Sequence, residues 1–125
     1  MTAHLELHLQ ATPKAAPELR HWLRDHTFEV RLCATELLTN VIDHVGEGAP
    51  VTVRVIPTAS PEHTRIEVTD PAPGASPVLL SATAAEESGR GLLLLDALAD
   101  RWGVEHGRDR KTVWCELPKT TTPTS

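Results

Sequence analysis

The chain has 125 residues, which is enough for one compact domain and too few for two of ordinary size. A formal net charge of −5 argues against a protein that binds nucleic acid through a broadly basic surface. The sequence contains no apolar run of about 18 residues and no secretory signal at its start. We therefore expect a cytoplasmic protein without direct contact to nucleic acid or membrane.

The composition also indicates how the core is stabilised and in which state the cysteines are. Hydrophobic residues make up 40% of the chain, so a core of ordinary size needs no disulfide or metal. Cys33 and Cys115 lie in separate apolar stretches and lack the spacing that zinc sites use. We expect both to be buried reduced thiols.

The first half of the chain predicts a strand and two helices. Residues 4–10 alternate between polar residues and leucine, as a half-buried strand does. The helical spacing of apolar residues predicts a helix that opens at Thr12-Pro13, or has its first turn at Pro17, and ends near Phe28 (residues 12–28). A wide apolar stripe predicts the clearest helix over residues 29–46, ended by Gly46 and Gly48.

The second half predicts strands, a loop and a buried helix. Two strands, over residues 51–56 and 64–69, are indicated by their β-branched residues, and two more are expected near residues 103–106 and 112–117. Residues 70–88 contain three prolines and predict a long loop, which in a small domain is usually functional or mobile. Residues 92–102 are apolar on most sides and predict a deeply buried helix.

This order of elements does not alternate strand and helix as Rossmann or TIM-barrel proteins do. We predict an α+β fold, a two-layer α/β sandwich with helices on one face of a mixed, mainly antiparallel sheet. A single domain is expected over residues 1–118. Residues 119–125 are expected to form a disordered tail because they are almost wholly polar.

A line of polar residues runs along the long helix among apolar neighbours. Glu36 and Asn40 are about 40° apart around the helix axis, and His44 continues the line one turn further on. A carboxylate and an amide at this spacing can hold a hydrated Mg²⁺ ion and orient a water. The same spacing is also typical of a solvated helix face.

Three further positions can carry chemistry. Asp70 follows a predicted strand, where a carboxylate can accept a hydrogen bond from adenine N6 or simply start a turn. Residues 89–91 (Gly-Arg-Gly) open a helix and can bind phosphate through backbone N–H groups, or form a tight turn capped by Ser88. Thr112 can hydrogen-bond a base or be an ordinary strand threonine.

The segments ELLTNVIDH, DPAPG, GRGLLLL and KTVWCEL, in this order, resemble the sequence boxes of the GHKL (Bergerat-fold) ATPases. The resemblance covers roughly residues 30–117. The short length and the first segment look most like the stand-alone bacterial anti-sigma-factor serine/threonine kinases. The resemblance implies the Bergerat ATP-binding fold, with ATP and Mg²⁺ as cofactors.

The resemblance also implies residue roles. Glu36 would be the general base or the carboxylate that positions a water, and Asn40 would be a Mg²⁺ ligand. Asp70 would recognise the adenine amino group, and Thr112 would support the adenine pocket. Residues 75–88 would form the ATP lid. The other expected nucleotide-binding positions are Asp43, His44, Gly74, Gly89, Arg90, Gly91 and Leu92.

The function implied is that of an ATP-binding regulator. It would bind a sigma factor or an anti-sigma-factor antagonist and phosphorylate the antagonist on Ser or Thr, with a homodimer as a further expectation. The sequence departs from the family pattern, because Ala72 replaces a glycine and residues 71–89 contain no Lys or Arg. These departures favour the alternative, a catalytically weak or inactive module that senses nucleotide and binds protein.

Overall fold

The computed structural model describes residues 4–58, 63–71 and 95–118, and the structural statements below concern these residues. Within them the elements are β1 (Leu5–Gln10), α1 (Ala15–Trp22), α2 (Phe28–His44), β2 (Pro50–Thr58), β3 (His63–Asp70), β4 (Arg101–His106) and β5 (Lys111–Pro118). Residues 95–98, shortly before β4, are also helical. No described helix has the length and apolar character needed to cross a membrane.

The strands form a five-stranded sheet in the order β1-β2-β3-β5-β4. The predicted α+β sandwich is confirmed, and every neighbouring pair among the described strands is antiparallel. β3 lies at the centre, while β1 and β4 form the edges. In this order the end of β3 lies beside the start of β5, so Asp70 is paired with Lys111.

The core lies between α2 and one face of the sheet. α2 packs against β2, β3 and β5, and α1 packs against α2. The two predicted buried thiols, Cys33 on α2 and Cys115 on β5, are free and fully buried. The largest fully buried side chains include Leu19, Leu23, Val30, Leu37, Leu38, Val53, Val55, Ile66, Val68 and Leu117.

Two predicted helix boundaries were wrong. The helix predicted over residues 12–28 runs only from Ala15 to Trp22, because Leu23 already leaves the helical conformation (φ −103°, ψ 17°). Thr27 is extended (φ −66°, ψ 162°) and caps the start of α2. The helix predicted to reach residue 102 ends at residue 98. There the Asp100 N–H donates to the Glu116 carbonyl at 2.9 Å, and pairing with β5 replaces the helical turn.

The second face of the sheet carries a network of charged side chains. Arg65 on β3 contacts Glu67 at 2.7 Å and Glu116 at 3.1 Å, and its guanidinium lies 4.2 Å from the centre of the Trp114 ring. Arg101 on β4 donates to Glu116 at 2.7 Å. This hydrogen bond, against the opposing effect of burial and with help from Arg65, holds the pKa of Glu116 below its usual range. The network therefore ties three neighbouring strands together.

Candidate functional site

The polar line predicted on the long helix is present on α2. Glu36 and Asn40 are half-buried one turn apart, whereas Asp43 is exposed. His44 is the last residue of α2, and its side chain lies outside the described part of the chain. The buried Leu37 and neighbouring apolar residues anchor this face of α2 in the core. Glu36 and Asn40 thus lie at the border between core and solvent, where oxygen atoms can reach a ligand.

Asp70 ends a row of buried side chains on β3. The strand alternates so that Thr64, Ile66, Val68 and Asp70 point to the face that α2 covers. The side chain of Asp70 is only 1% exposed. Because a buried carboxylate is costly unless a partner compensates its charge, this position requires specific neighbours.

Lys111 supplies charge compensation for Asp70. The two residues are directly paired across β3 and β5, and Lys111 Nζ lies 3.9 Å from Asp70 Oδ2. The lysine side chain is 8% exposed. Sequence reasoning gave Lys111 no role, although the alternation of Lys111, Val113, Cys115 and Leu117 would have placed it on the buried face.

Thr112 does not lie beside Asp70. Adjacent residues of a strand point to opposite faces, so Thr112 lies on the second face of the sheet. Its hydroxyl group hydrogen-bonds that of Thr69 at 2.8 Å. The structure therefore brings Lys111, rather than the predicted Thr112, to the side chain of Asp70.

A cavity of about 300 Å³ opens at the end of the sheet beside Asp70. It is formed where β1 ends, β2 begins, β3 ends and the turn between β4 and β5 approaches. Its lining comprises His8, Leu9, Pro50, Val51, Thr52, Thr69, Asp70, Pro71, Asp109 and Arg110. Its volume is at the lower end of the range for small-molecule pockets, so a small ligand group has room at this end of the sheet.

The predicted phosphate-binding residues and lid cannot be placed. Gly74, Gly89, Arg90, Gly91 and Leu92, together with residues 75–88, lie outside the described residues. The description resumes at Leu95, which is fully buried, and residues 95–98 are helical. A helix after the Gly-Arg-Gly segment is what the sequence predicts, and these residues agree with it. The predicted deep burial is wrong for this part of the helix, because Asp96 and Ala97 are exposed and only Leu95 is buried.

The arrangement of α2 over β3 and β5 can be compared with known families. Residues 4–116 match the family model of the histidine kinase-like ATPase domain. The chain belongs to this family. The matched range includes Glu36, Asn40, Asp70 and Lys111, and it confirms the resemblance to GHKL-type ATPases.

The chain also has a relative of similar sequence. An uncharacterised protein of Streptomyces coelicolor is 56% identical over 85 residues, which are 66% of this chain and 78% of that protein. Its name states no activity, so the similarity specifies no reaction. The histidine kinase-like ATPase domain itself supports nucleotide binding, with ATP as the ligand.

The described residues fit a nucleotide accompanied by Mg²⁺. Within the described ranges, no group of three or more His, Cys, Asp or Glu residues could hold a metal ion. Mg²⁺ commonly keeps several waters and binds through one or two protein oxygens plus substrate phosphates. Asn40 lies at the border of the core, so its amide oxygen can be such a protein ligand, and Glu36 lies one turn away.

Proposed function

We propose that this histidine kinase-like ATPase domain is an ATP-binding regulator of the anti-sigma-factor kinase type. It binds a sigma factor or an anti-sigma-factor antagonist, and it phosphorylates the antagonist on Ser or Thr in the cytoplasm. The observation that carries the proposal is the position of Glu36 and Asn40 on α2, the helix that packs over the sheet face where Asp70 is buried.

Phosphoryl transfer depends mainly on positioning and on neutralising charge, and Asn40 and Glu36 would each contribute to it. Bound Mg²⁺ would supply positive charge at the phosphates, with Asn40 as its protein ligand. Glu36 would accept the proton of the acceptor hydroxyl group. Residues 89–91 would hold the phosphates at the start of the helix that continues through residues 95–98.

A second candidate function is a module that senses nucleotide without catalysis. Ala72, which stands where the family pattern has a glycine, favours it. The segment 71–89 also contains no Lys or Arg to contact a γ-phosphate. In this function, nucleotide would shift the population of the conformation that binds the partner. The presence of Glu36 favours the kinase, because a sensor needs no base.

Nucleotide binding is tested first, by calorimetric titration with ATP and ADP in the presence and absence of Mg²⁺. Asn40→Ala is expected to remove the Mg²⁺ dependence, and Asp70→Ala to weaken binding of both nucleotides. Asp25→Ala, a change at an exposed carboxylate, is the matched control and should bind as the wild type does. Failure of the wild type to bind nucleotide at millimolar concentration would exclude both candidate functions.

Phosphoryl transfer separates the two candidates. The wild type and Glu36→Gln are incubated with γ-labelled ATP and purified candidate antagonist proteins. The kinase predicts label on Ser or Thr with the wild type and its loss with Glu36→Gln, while both chains bind ATP equally. Equal transfer by the two chains would exclude Glu36 as the base, and nucleotide-dependent partner binding without transfer would favour the sensing module.

A further inference from the structure

We propose that the outer edge of β4 is a docking site for an extended segment of a protein partner, which adds to the sheet as a further strand antiparallel to β4. The segment carries a basic, an apolar and an acidic side chain at alternate positions, in that order. Among the described strands, β4 has β5 as its only neighbour. The inference specifies a partner surface for the proposed regulator, and it involves no contact with nucleotide.

The outer edge of β4 presents a row of backbone groups. The Gly107 N–H donates to the Arg110 carbonyl at 2.7 Å, so this pair closes the hairpin between β4 and β5 by hydrogen bonding. Pairs in an antiparallel ladder alternate between hydrogen-bonded and non-hydrogen-bonded, so the backbone groups of Glu105 and Gly103 also face β5. The N–H and C=O groups that point to the open edge are therefore those of Trp102, Val104 and His106.

An added strand can satisfy these outward groups. Each of the three residues can exchange two backbone hydrogen bonds with one residue of an antiparallel segment. In this mode of peptide recognition the backbone supplies affinity and alternate side chains supply specificity. The segment residues opposite Arg101, Gly103 and Glu105 then place their side chains on the second face of the sheet.

Gly103 leaves room for an apolar side chain at the middle position. It is paired with Trp114 on β5, and the indole ring lies over it, since a Cβ atom added at Gly103 would be 3.0 Å from Trp114 Cζ2. The segment residue opposite Gly103 would form a non-hydrogen-bonded pair, in which side chains come closest. An apolar side chain there would pack against the half-buried indole ring where it crosses β4.

Two exposed charges flank this position on the same face. The side chain of Arg101 is 67% exposed and that of Glu105 is 66% exposed. Arg101 donates to Glu116 through Nε and Nη2, and its Nη1 group carries two further donors. In an antiparallel segment, the residue opposite Glu105 precedes the residue opposite Arg101. Because opposite charges stabilise directly paired positions, the first should be basic and the second acidic.

The test is an NMR titration of the full chain, without nucleotide, with a short synthetic peptide that has lysine, leucine and glutamate at alternate positions and valine between them. Saturable shifts and slowed hydrogen exchange are expected at the amides of Trp102, Val104 and His106. A peptide with lysine and glutamate interchanged should bind at least about fivefold more weakly, since like charges then face each other.

Modified peptides test the backbone ladder. The valine amides face β4 in the proposed register, so N-methylation of the valines removes donors of the ladder and should abolish binding. The leucine amide points away from β4. N-methylation of the leucine alone is therefore the matched control, and this peptide should bind as the unmodified one does.

Variants of the chain test the site from the side of β4. Val104→Pro removes an outward N–H and leaves the ladder with β5 intact, so binding should weaken at least about tenfold. Val104→Ala keeps the N–H and is its control. Glu105→Lys should remove the preference for the peptide that begins with lysine, whereas Glu47→Lys, the same change at another exposed residue, should keep it.

The outcomes are separable from those for the proposed function. Shifts confined to other parts of the chain, or equal binding of both charge orders by the wild type, overturn the docking site. Exchange at Trp102 and Val104 that slows with protein concentration alone also overturns it, because a second copy would then occupy the edge. If Val104→Pro does not fold, the N-methylated peptides decide. Since nucleotide is absent throughout, failure of peptide binding leaves the ATP-binding regulator standing, and failure of ATP binding leaves the docking site standing.

Discussion

The hydroxyl groups of Thr69 and Thr112 hydrogen-bond across β3 and β5 at 2.8 Å, on the sheet face opposite to Asp70 and Lys111. Successive residue pairs of these two strands thus lie on opposite faces of the sheet and make different interactions. The threonine pair joins the strands on the second face of the sheet, which carries the charged network. The adjacent Asp70–Lys111 pair lies on the face beneath α2.

This separation predicts that Thr112→Val destabilises the fold without affecting nucleotide binding. Loss of one hydrogen bond should lower the free energy of unfolding by about 1 kcal/mol, as measured by urea denaturation. Thr112→Ser, which keeps the hydroxyl group, is the matched control and should lose less. A folded Thr112→Val chain with much weaker ATP binding would show that Thr112 reaches the nucleotide.

The buried ion pair predicts a non-additive effect on stability. Asp70→Asn leaves the Lys111 charge buried without its carboxylate and should cost about 3–5 kcal/mol in the free energy of unfolding. The double variant Asp70→Asn/Lys111→Met removes both charges and should be more stable than Asp70→Asn alone. A double-mutant cycle by chemical denaturation measures this coupling, and purely additive losses would contradict it.

The N-terminus of α2 predicts a capping effect. Thr27 Oγ1 accepts a hydrogen bond from the Val30 N–H at 3.2 Å, so Thr27→Ala should reduce stability by about 1 kcal/mol. Thr35→Ala is the control, since the Thr35 hydroxyl donates to the Arg31 carbonyl within the helix. Alanine there should be neutral or stabilising, because such bonds slightly disfavour the helix. Equal losses in thermal unfolding would exclude a capping role for Thr27.

The core predicts a strong contrast between two leucines of α2. Leu38 is fully buried and Leu32 is half-buried. Leu38→Ala should lower the free energy of unfolding by about 2–5 kcal/mol, because it leaves a cavity in a close-packed core. Leu32→Ala should lose clearly less in the same urea titration. The reverse order would mean that α2 is rotated relative to the sheet.

The network of charged side chains on the second face of the sheet predicts that the fold loses stability in acid. The pKa of Glu116 lies below its ordinary value of 4.5, so the folded chain binds the proton less readily than the unfolded chain. Its stabilisation is present above the unfolded pKa and is lost as pH falls through the folded pKa. Glu116→Gln should therefore flatten the acid limb of a plot of denaturation midpoint against pH. The exposed variant Glu47→Gln should leave that limb as steep as in the wild type.

Local periodicity was enough to predict most of the elements. The apolar stripe of α2 and the β-branched alternation of β2 and β3 are repeated within a few residues, and the observed bounds differ from the predicted ones by a few positions at most. The spacing of Glu36 and Asn40 was equally predictable, because both lie on a single helix. Helix ends were less predictable from the sequence, because Asp100 and Trp102 are positioned by pairing with β5.

The sequence by itself determined the α+β class, the family and the burial of both cysteines, because composition, motif order and periodicity are properties of neighbouring residues. Only the tertiary structure decided that Lys111 faces Asp70 and that Thr112 faces Thr69. A shift of one residue in register would exchange the two faces of β5, and the register is set by the packing of the whole sheet against α2. The residue beside the Asp70 carboxylate is therefore a consequence of long-range pairing.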